Sequence, residues 1–304
     1  MSSTINASTA GIGGVITTAD ASGVLQLQTG GTAAITIDAS QNVTFAGSVN
    51  AINNFAFKNL LIDAGFTINQ RAYVSAAALA SGAYGHDRWK AGASGGDYSF
   101  TQNASSTTIT ICSGKSLIQV VEDKNVNGTS YVLSWTGTAL ARYAVNSATP
   151  AGSFATSPIL ITGQTAGTTM SVEFNNGTLT TPQLEKGSVA TSFDYRPYGT
   201  ELSLCQRYYQ VMSITGIAMA TAAFQPTRQL IVTMRTSPTI GITGSMRRTA
   251  DGVASTVGAL VGASGDAYAS SVFFIQCTPT PALVVGSVYD SLGSIGSITA
   301  SAEL

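Results

Sequence analysis

The sequence predicts an all-β chain: a short N-terminal β-region, a β-sandwich, and a second, C-terminal β-sandwich-like domain. Three observations lead there. Apolar and polar residues alternate with period two in many short runs, the pattern of a strand with one buried face. Asn127-Gly128, Asn176-Gly177 and Asp251-Gly252 each separate two such runs, and these dipeptides favour the turns that match strand twist. Only 10% of the 304 residues are charged, against roughly 25% in an ordinary soluble domain. Much of the remaining polarity is therefore Ser, Thr, Asn and Gln, which suit strands and turns better than helices.

Taken in order, "GVLQLQTGGTAAITIDASQNVTFAG" carries three strands. Leu25 and Leu27 alternate with Gln26 and Gln28; Ile35 and Ile37 alternate with Thr36 and Asp38; Val43 and Phe45 flank Thr44. "TGG" and "ASQN" supply the turns. A meander this small buries too little to stand alone, so it is expected to pack against copies of itself or another subunit. Residues 49–58 read either as a short helix or as a connector. At Asn59 a new block opens with "NLLIDAGFTINQR", followed by "YSFTQ", "STTITIC", "SLIQVVE", "SYVLSWTG", "PILITG", "TTMSVEF" and "TLTTPQLE". Many short strands closely punctuated by turns argue an antiparallel sandwich. "GTELSLCQRYYQV" spaces Leu202, Cys205, Tyr208 and Tyr209 as a short helix would. A further set of strand-like runs follows. The expected boundaries are 1–58, 59–203 and 204–304.

The densest charge lies in "PQLEKGSVATSFDYRPYGTELSLCQRYYQ", where Glu185, Lys186, Asp194, Arg196, Glu201 and Arg207 stand among Phe193, Tyr195, Tyr198, Tyr208 and Tyr209. Tyrosine buries ring area while keeping its hydroxyl wet, which suits a domain seam. The stretch is read as a hinge-like junction, with Val189 and Phe193 plugging the sandwich core and Arg196 and Arg207 pairing with Asp194 or Glu201.

Much chemistry is excluded or unsupported. Net charge is −1 and there is no basic stripe, so nucleic acid is not an expected partner. No apolar run reaches the roughly 20 residues that span a bilayer, and "MSSTINASTAGIGG" lacks the pattern of a secretory signal. Cys112, Cys205 and Cys277 are scattered, without metal-ligand spacing, and read as small core residues. The one histidine, His86, precedes Asp87; on a strand, neighbours point to opposite faces, so a hydrogen-bonded turn is expected there instead of a triad. The expectation is no catalytic residues, no metal and no cofactor. Sugars are held by aromatic faces, and the rings assigned to glycan contact are Trp89, Tyr98, Tyr131 and Trp135. Trp135 shares a strand face with Leu133 and Tyr131, and that face reads as core before it reads as platform.

"NLLIDAGFTINQR", "YGHDRWKAG" and "PQLEKGSVATSFDYRPYGTELSLCQRYYQ" together resemble a recurrent module of bacteriophage and prophage tail proteins, over roughly Asn59 to Gln210. Its core is similar to the jelly-roll carbohydrate-binding modules, whose opening "NLL" strand pairs near a closing "QLE.GS.AT.F". The opening turn departs from that pattern, reading "IDAGF" where "NGDF" is commoner. Such modules often hold a structural calcium ion, for which Asp63, Asp194 and Glu185 are the candidates here. The N-terminal region is also similar to segments near the start of phage tail-fibre-like proteins. The resemblance implies a non-enzymatic virion protein made in the host cytoplasm. It would be a homotrimeric tail-fibre or spike-like subunit, bound to other virion proteins through its N-terminal region and contributing to host-surface attachment, with a host cell-surface glycan as a further partner. The alternative is a head fibre or capsid decoration protein of the same architecture; a polysaccharide depolymerase ranks below both.

Overall fold

The computed structural model describes residues 22–47, 57–103, 107–128, 130–213, 215–226, 230–264, 274–290 and 296–304. Contacts divide the chain into two units, Met1–Ile52 and Asn53–Leu304. The chain is all-β, with antiparallel pairing throughout and one α-helix among the described residues.

In the first unit, β1 (Leu25–Thr29), β2 (Thr32–Ile37) and β3 (Val43–Phe45) form a meander. Gly30 and Gly31 both have positive φ, +60° and +78°, which lets two residues close the first hairpin in the primed geometry. The second turn is tied by Asp38, whose Oδ1 accepts the Ser40 and Asn42 N–H groups, each at 2.9 Å. Pairing register aligns Leu25 with Ile37 and Val43, and Leu27 with Ile35 and Phe45. Six apolar side chains therefore occupy one face, while Gln26, Thr36 and Thr44 occupy the other. The period-two reading of this segment holds. Residues 49–56 lie outside the described residues.

The second unit begins with the sandwich. Its strands are β4 (Lys90–Ala91), β5 (Tyr98–Gln102), β6 (Thr107–Ile111), β7 (Leu117–Val121), β8 (Tyr131–Thr136), β9 (Ala141–Ala144), β10 (Ala151–Ala155), β11 (Ile159–Ile161), β12 (Met170–Phe174) and β13 (Gly177–Lys186). They form two five-stranded sheets, β10-β9-β12-β7-β4 and β11-β8-β13-β6-β5. One core joins both sheets: Leu117, Val172 and Phe174 from the first meet Ile109, Ile111, Leu133, Trp135 and Leu184 from the second. This arrangement is compatible with a jelly roll.

Two hairpin expectations are overturned. β7 and β8, either side of Asn127-Gly128, belong to opposite sheets, as do β12 and β13 around Asn176-Gly177. Both dipeptides carry the chain across the sandwich. Gly128 permits a close approach, since a Cβ there would lie 3.2 Å from Ala166 N. Gly177 takes φ +133°, and its Cβ would meet Ala139 N at 2.7 Å. Gly137 is more tightly held: its φ is +127°, and a Cβ would drive into the Thr178 carbonyl. That carbonyl accepts the Ala139 N–H at 3.0 Å. We expect Gly137→Ala to cost ~2 kcal/mol or more, from left-handed strain plus the clash, read as a lower denaturant midpoint; an unchanged midpoint would refute this account.

Pro197 precedes α1 (Tyr198–Gln206), which holds Leu202 and Cys205 of the expected helix but ends before Tyr208 and Tyr209, the latter starting a strand. The remaining strands are β14 (Tyr209–Ser213), β15 (Thr215–Ala220), β16 (Ala223–Pro226), β17 (Thr239–Arg248), β18 (Ala254–Ser264), β19 (Phe274–Thr280), β20 (Val288–Asp290) and β21 (Gly296–Ser301). The pairings β17-β18-β19-β16-β15-β20 run round to a β20–β17 pairing and close a six-stranded barrel, which β21 and β14 extend from the first half of β17. Closure removes edges that would otherwise invite pairing. Asp251-Gly252 does turn a hairpin, between β17 and β18: Gly252 has φ +74°, and Asp251 pairs with Arg248. Met212, Met234, Ile240, Met246, Tyr289 and Ile298 are among the side chains that fill this region.

Candidate functional site

The four rings assigned to glycan contact are all buried: Trp89 and Tyr98 are 0% exposed, Tyr131 1% and Trp135 8%. Trp89 stacks on Phe66 with centroids 4.6 Å apart, meets the edge of Phe174, and donates its Nε1–H to Asp63 O at 2.9 Å. Trp135 packs across the sandwich on Phe174 at 5.3 Å and donates to Ala139 O. Tyr131 reaches back to Asn127, and Tyr98 packs on Tyr73 at 4.5 Å. Each ring face is taken by protein and each polar tip is satisfied, so the expectation of a sugar platform here is corrected: these rings are core. The core reading of the Tyr131–Leu133–Trp135 strand face is the one that holds.

His86 is buried too. Its Nδ1 lies 2.6 Å from the Tyr98 hydroxyl, which also accepts the His86 N–H at 2.7 Å. Asp87 turns away from it, toward Gln70 and Arg71, so the pair forms no triad. Burial lowers the His86 pKa to about 4, so the ring is neutral. Burial raises Asp87 to about 6. The signs oppose. His86 binds its proton more weakly folded than unfolded, so stability falls as pH drops from 6.5 toward 4. Asp87 binds its proton more tightly folded, so its contribution rises over nearly the same window. We expect His86→Gln to abolish the first effect alone. Between pH 6.5 and 4, the unfolding free energy of the variant should gain up to about 3 kcal/mol on wild type, at 1.36 kcal/mol per pH unit. Parallel pH profiles would contradict the assignment.

The charged stretch at 182–210 builds a seam. Leu60 N–H donates to Leu184 O at 2.8 Å, and Asn59 Oδ1 accepts the Leu184 N–H at 3.0 Å, so the opening and closing segments of the sandwich meet. Asp63 takes φ +52° in the "IDAGF" turn. It offsets that conformation by accepting the Thr67 and Ile68 N–H groups on Oδ1 at 2.7 and 3.0 Å. Its Oδ2 is buried without a hydrogen-bond partner, and burial pushes the carboxyl well above its usual range. Glu201 from α1 accepts the Asp63 N–H at 2.5 Å and faces Arg196 Nε at 3.0 Å. Arg207 pairs with Glu122 at 2.7 Å, not with Asp194 or Glu201, and Tyr208 donates to the same Glu122 at 2.8 Å. Ile62, Ile68, Cys205 and Tyr208 form a small apolar cluster beside these groups. Val189 is exposed rather than a core plug, whereas Phe193 packs partly against the core.

Of the carboxylates named for calcium, Glu185 and Asp194 are spent on amides and a hydroxyl, and Asp63 spends only its Oδ1. Glu185 accepts from Thr191 N–H at 2.8 Å, Thr191 Oγ1 at 2.6 Å and Gln183 Nε2 at 2.8 Å. Asp194 accepts the Asn59 N–H at 3.3 Å. Among the described residues no cluster of three acidic, His or Cys side chains comes together. A calcium ion needs six to eight oxygens, so the residues present do not fit one. A cavity of about 40 Å³ lies beside Thr67, Asp194, Arg196 and Glu201. That is room for a few waters and not for a sugar ring.

No family model matches this chain, and no curated protein matches it.

Arg71, Glu122 and Glu303 carry no local signal in the sequence, because their partners lie up to 232 residues away. Cys112 is exposed, contrary to the core reading; Cys205 is buried as expected, and the Cys277 side chain lies outside the described residues. No helix among the described residues is long and apolar enough to cross a membrane. The N-terminal sheet carries an exposed apolar face. Leu25 is 58% exposed, Val43 52%, Phe45 46% and Leu27 45%, all on one face.

Proposed function

We propose that the chain is a structural subunit of a bacteriophage particle: a homotrimeric fibre- or spike-like protein, without enzymatic activity, joined to other virion proteins through its N-terminal region and contributing to host-surface attachment. The observation that carries this reading is the exposed apolar face of β1–β3. A three-stranded sheet has no core of its own, and an exposed apolar ladder on paired strands is a surface for association. Three copies sharing an axis would bury the Leu25–Ile37–Val43 and Leu27–Ile35–Phe45 rows against one another and leave the Gln26–Thr36–Thr44 row in water. Low charge supports the same reading, because a surface with few charges repels its own copies weakly. The phage-type motifs supply the setting.

Light scattering at micromolar concentration tests the assembly. Three times the 31.0 kDa chain mass is expected; a stable monomer would sink the trimer. Leu27→Glu should lower the mass to that of one chain while leaving the melting of the sandwich unchanged, because a charge on the shared face cannot be desolvated without a partner. Labelled antibody on intact particles distinguishes tail from head, and failure to label any particle would overturn the virion reading.

A further inference from the structure

We propose that residues Ala302 to Leu304 are a docked latch: the sandwich and the barrel region form a cationic socket for this tripeptide, and its occupation makes the two parts one rigid piece. The proposal stands independently of the virion reading.

β21 ends at Ser301, and beyond it the chain leaves the sheet. The Ala302, Glu303 and Leu304 carbonyls are then taken by long side chains from elsewhere. Arg235 Nε donates to Ala302 O at 2.9 Å and its Nη2 to Glu303 O at 3.1 Å. Leu304 O accepts the Tyr84 hydroxyl at 2.6 Å and Lys90 Nζ at 2.9 Å. The Glu303 carboxylate lies between two guanidinium groups, Arg71 at 2.9 Å on one oxygen and Arg88 on the other. The Leu304 side chain packs on the Ile62, Ile68, Cys205 and Tyr208 cluster. Backbone, charge and side chain are all read, as they are when a protein binds a peptide.

The socket is itself held in shape. Arg71 lies over the Tyr209 ring at 3.6 Å and the Tyr84 ring at 4.9 Å; Arg88 lies over Tyr208 at 3.7 Å. Tyr84, Arg88 and Lys90 come from one short stretch of the sandwich, whereas Tyr208 and Tyr209 open the barrel region. Without these residues Arg71 would keep Asp87 at 3.4 Å, whereas Arg88 would lose the carboxylate it pairs with. A guanidinium as buried as that of Arg88 is costly to leave unpaired. An empty socket therefore opens instead of persisting as a cavity, and the link between the two parts loosens with it.

Hydrogen exchange on the full chain tests this, with Glu303→Gln as the variant. The Ala302 amide bonds Tyr208 O at 2.7 Å and the Arg235 amide bonds Arg207 O at 2.9 Å, so both report on the seam. A latch predicts that these amides and those of 207–210 exchange about tenfold faster or more, with the β7, β8, β12 and β13 amides unchanged. Unchanged seam amides, or an equal rise across the sandwich strands, would overturn the proposal. Should Glu303→Gln not fold, Tyr84→Phe decides by the same localisation. It removes only the hydroxyl bond to Leu304 and keeps the ring beside Arg71, so a smaller rise at the same amides is expected.

Discussion

Trp89→Ala is expected to destabilise the sandwich by about 3–5 kcal/mol, the usual cost of emptying a large aromatic site in a packed core. The ring is wholly buried, stacked on Phe66, edge-on to Phe174 and bonded through its indole N–H to Asp63 O. Alanine would leave a cavity and an unpaired carbonyl, and the two penalties add. The carbonyl belongs to the residue whose turn also meets Glu201, so damage should spread to the seam. Thermal unfolding measures the effect directly. Tyr195, which is exposed, is the control: Tyr195→Ala should change stability by less than about 0.5 kcal/mol. A Trp89→Ala protein that melts with wild type but loses glycan binding that the wild type shows would restore the platform role.

The contrast between Trp89 and Tyr195 shows what the sequence could and could not convey. Strands were legible because period-two alternation is local. The β1–β3 ladder and the runs from "YSFTQ" to "TLTTPQLE" all became strands. Which strands pair is not local. Asn127-Gly128 and Asn176-Gly177 have the chemistry of hairpin turns, yet each links opposite sheets, since sandwich closure outweighs turn preference. Burial of an aromatic is equally non-local. Trp89 stands between Arg88 and Lys90, which looks like surface, but Arg88 is itself buried on Tyr208. The same distance effect hid the seam's partners. Arg207 lies close in sequence to Glu201 and Asp194, yet it pairs with Glu122, 85 residues away. What the sequence marked at 182–210 was the crowding of charge with tyrosine; the structure buries Glu201 and Tyr208 of it, with Arg207 paired to Glu122, and leaves Tyr195 and Tyr198 exposed.

Arg88→Met should cost about 3–5 kcal/mol, far more than the ~0–1 kcal/mol of an exposed ion pair. Arg88 is 2% exposed and spends its guanidinium on Glu303, on Val120 O at 2.7 Å and on the Tyr208 ring. Methionine keeps the apolar stem and fills part of the space, so the loss reports mainly the charge and its hydrogen bonds. The reason the cost is large is asymmetry. With Arg88 gone, the Glu303 carboxylate stays buried with Arg71 alone, and Val120 O loses its guanidinium donor. Removing the second charge should therefore return some of the first loss. The double variant Arg88→Met/Glu303→Gln is expected to be less destabilised than the sum of its parts by ~0.5–3 kcal/mol. Denaturant unfolding of the four proteins in the cycle measures the coupling. Additive losses would mean that Arg88 matters for packing alone; a coupling of the expected size means the seam is held by compensated charge, each ion tolerated only because the other is there.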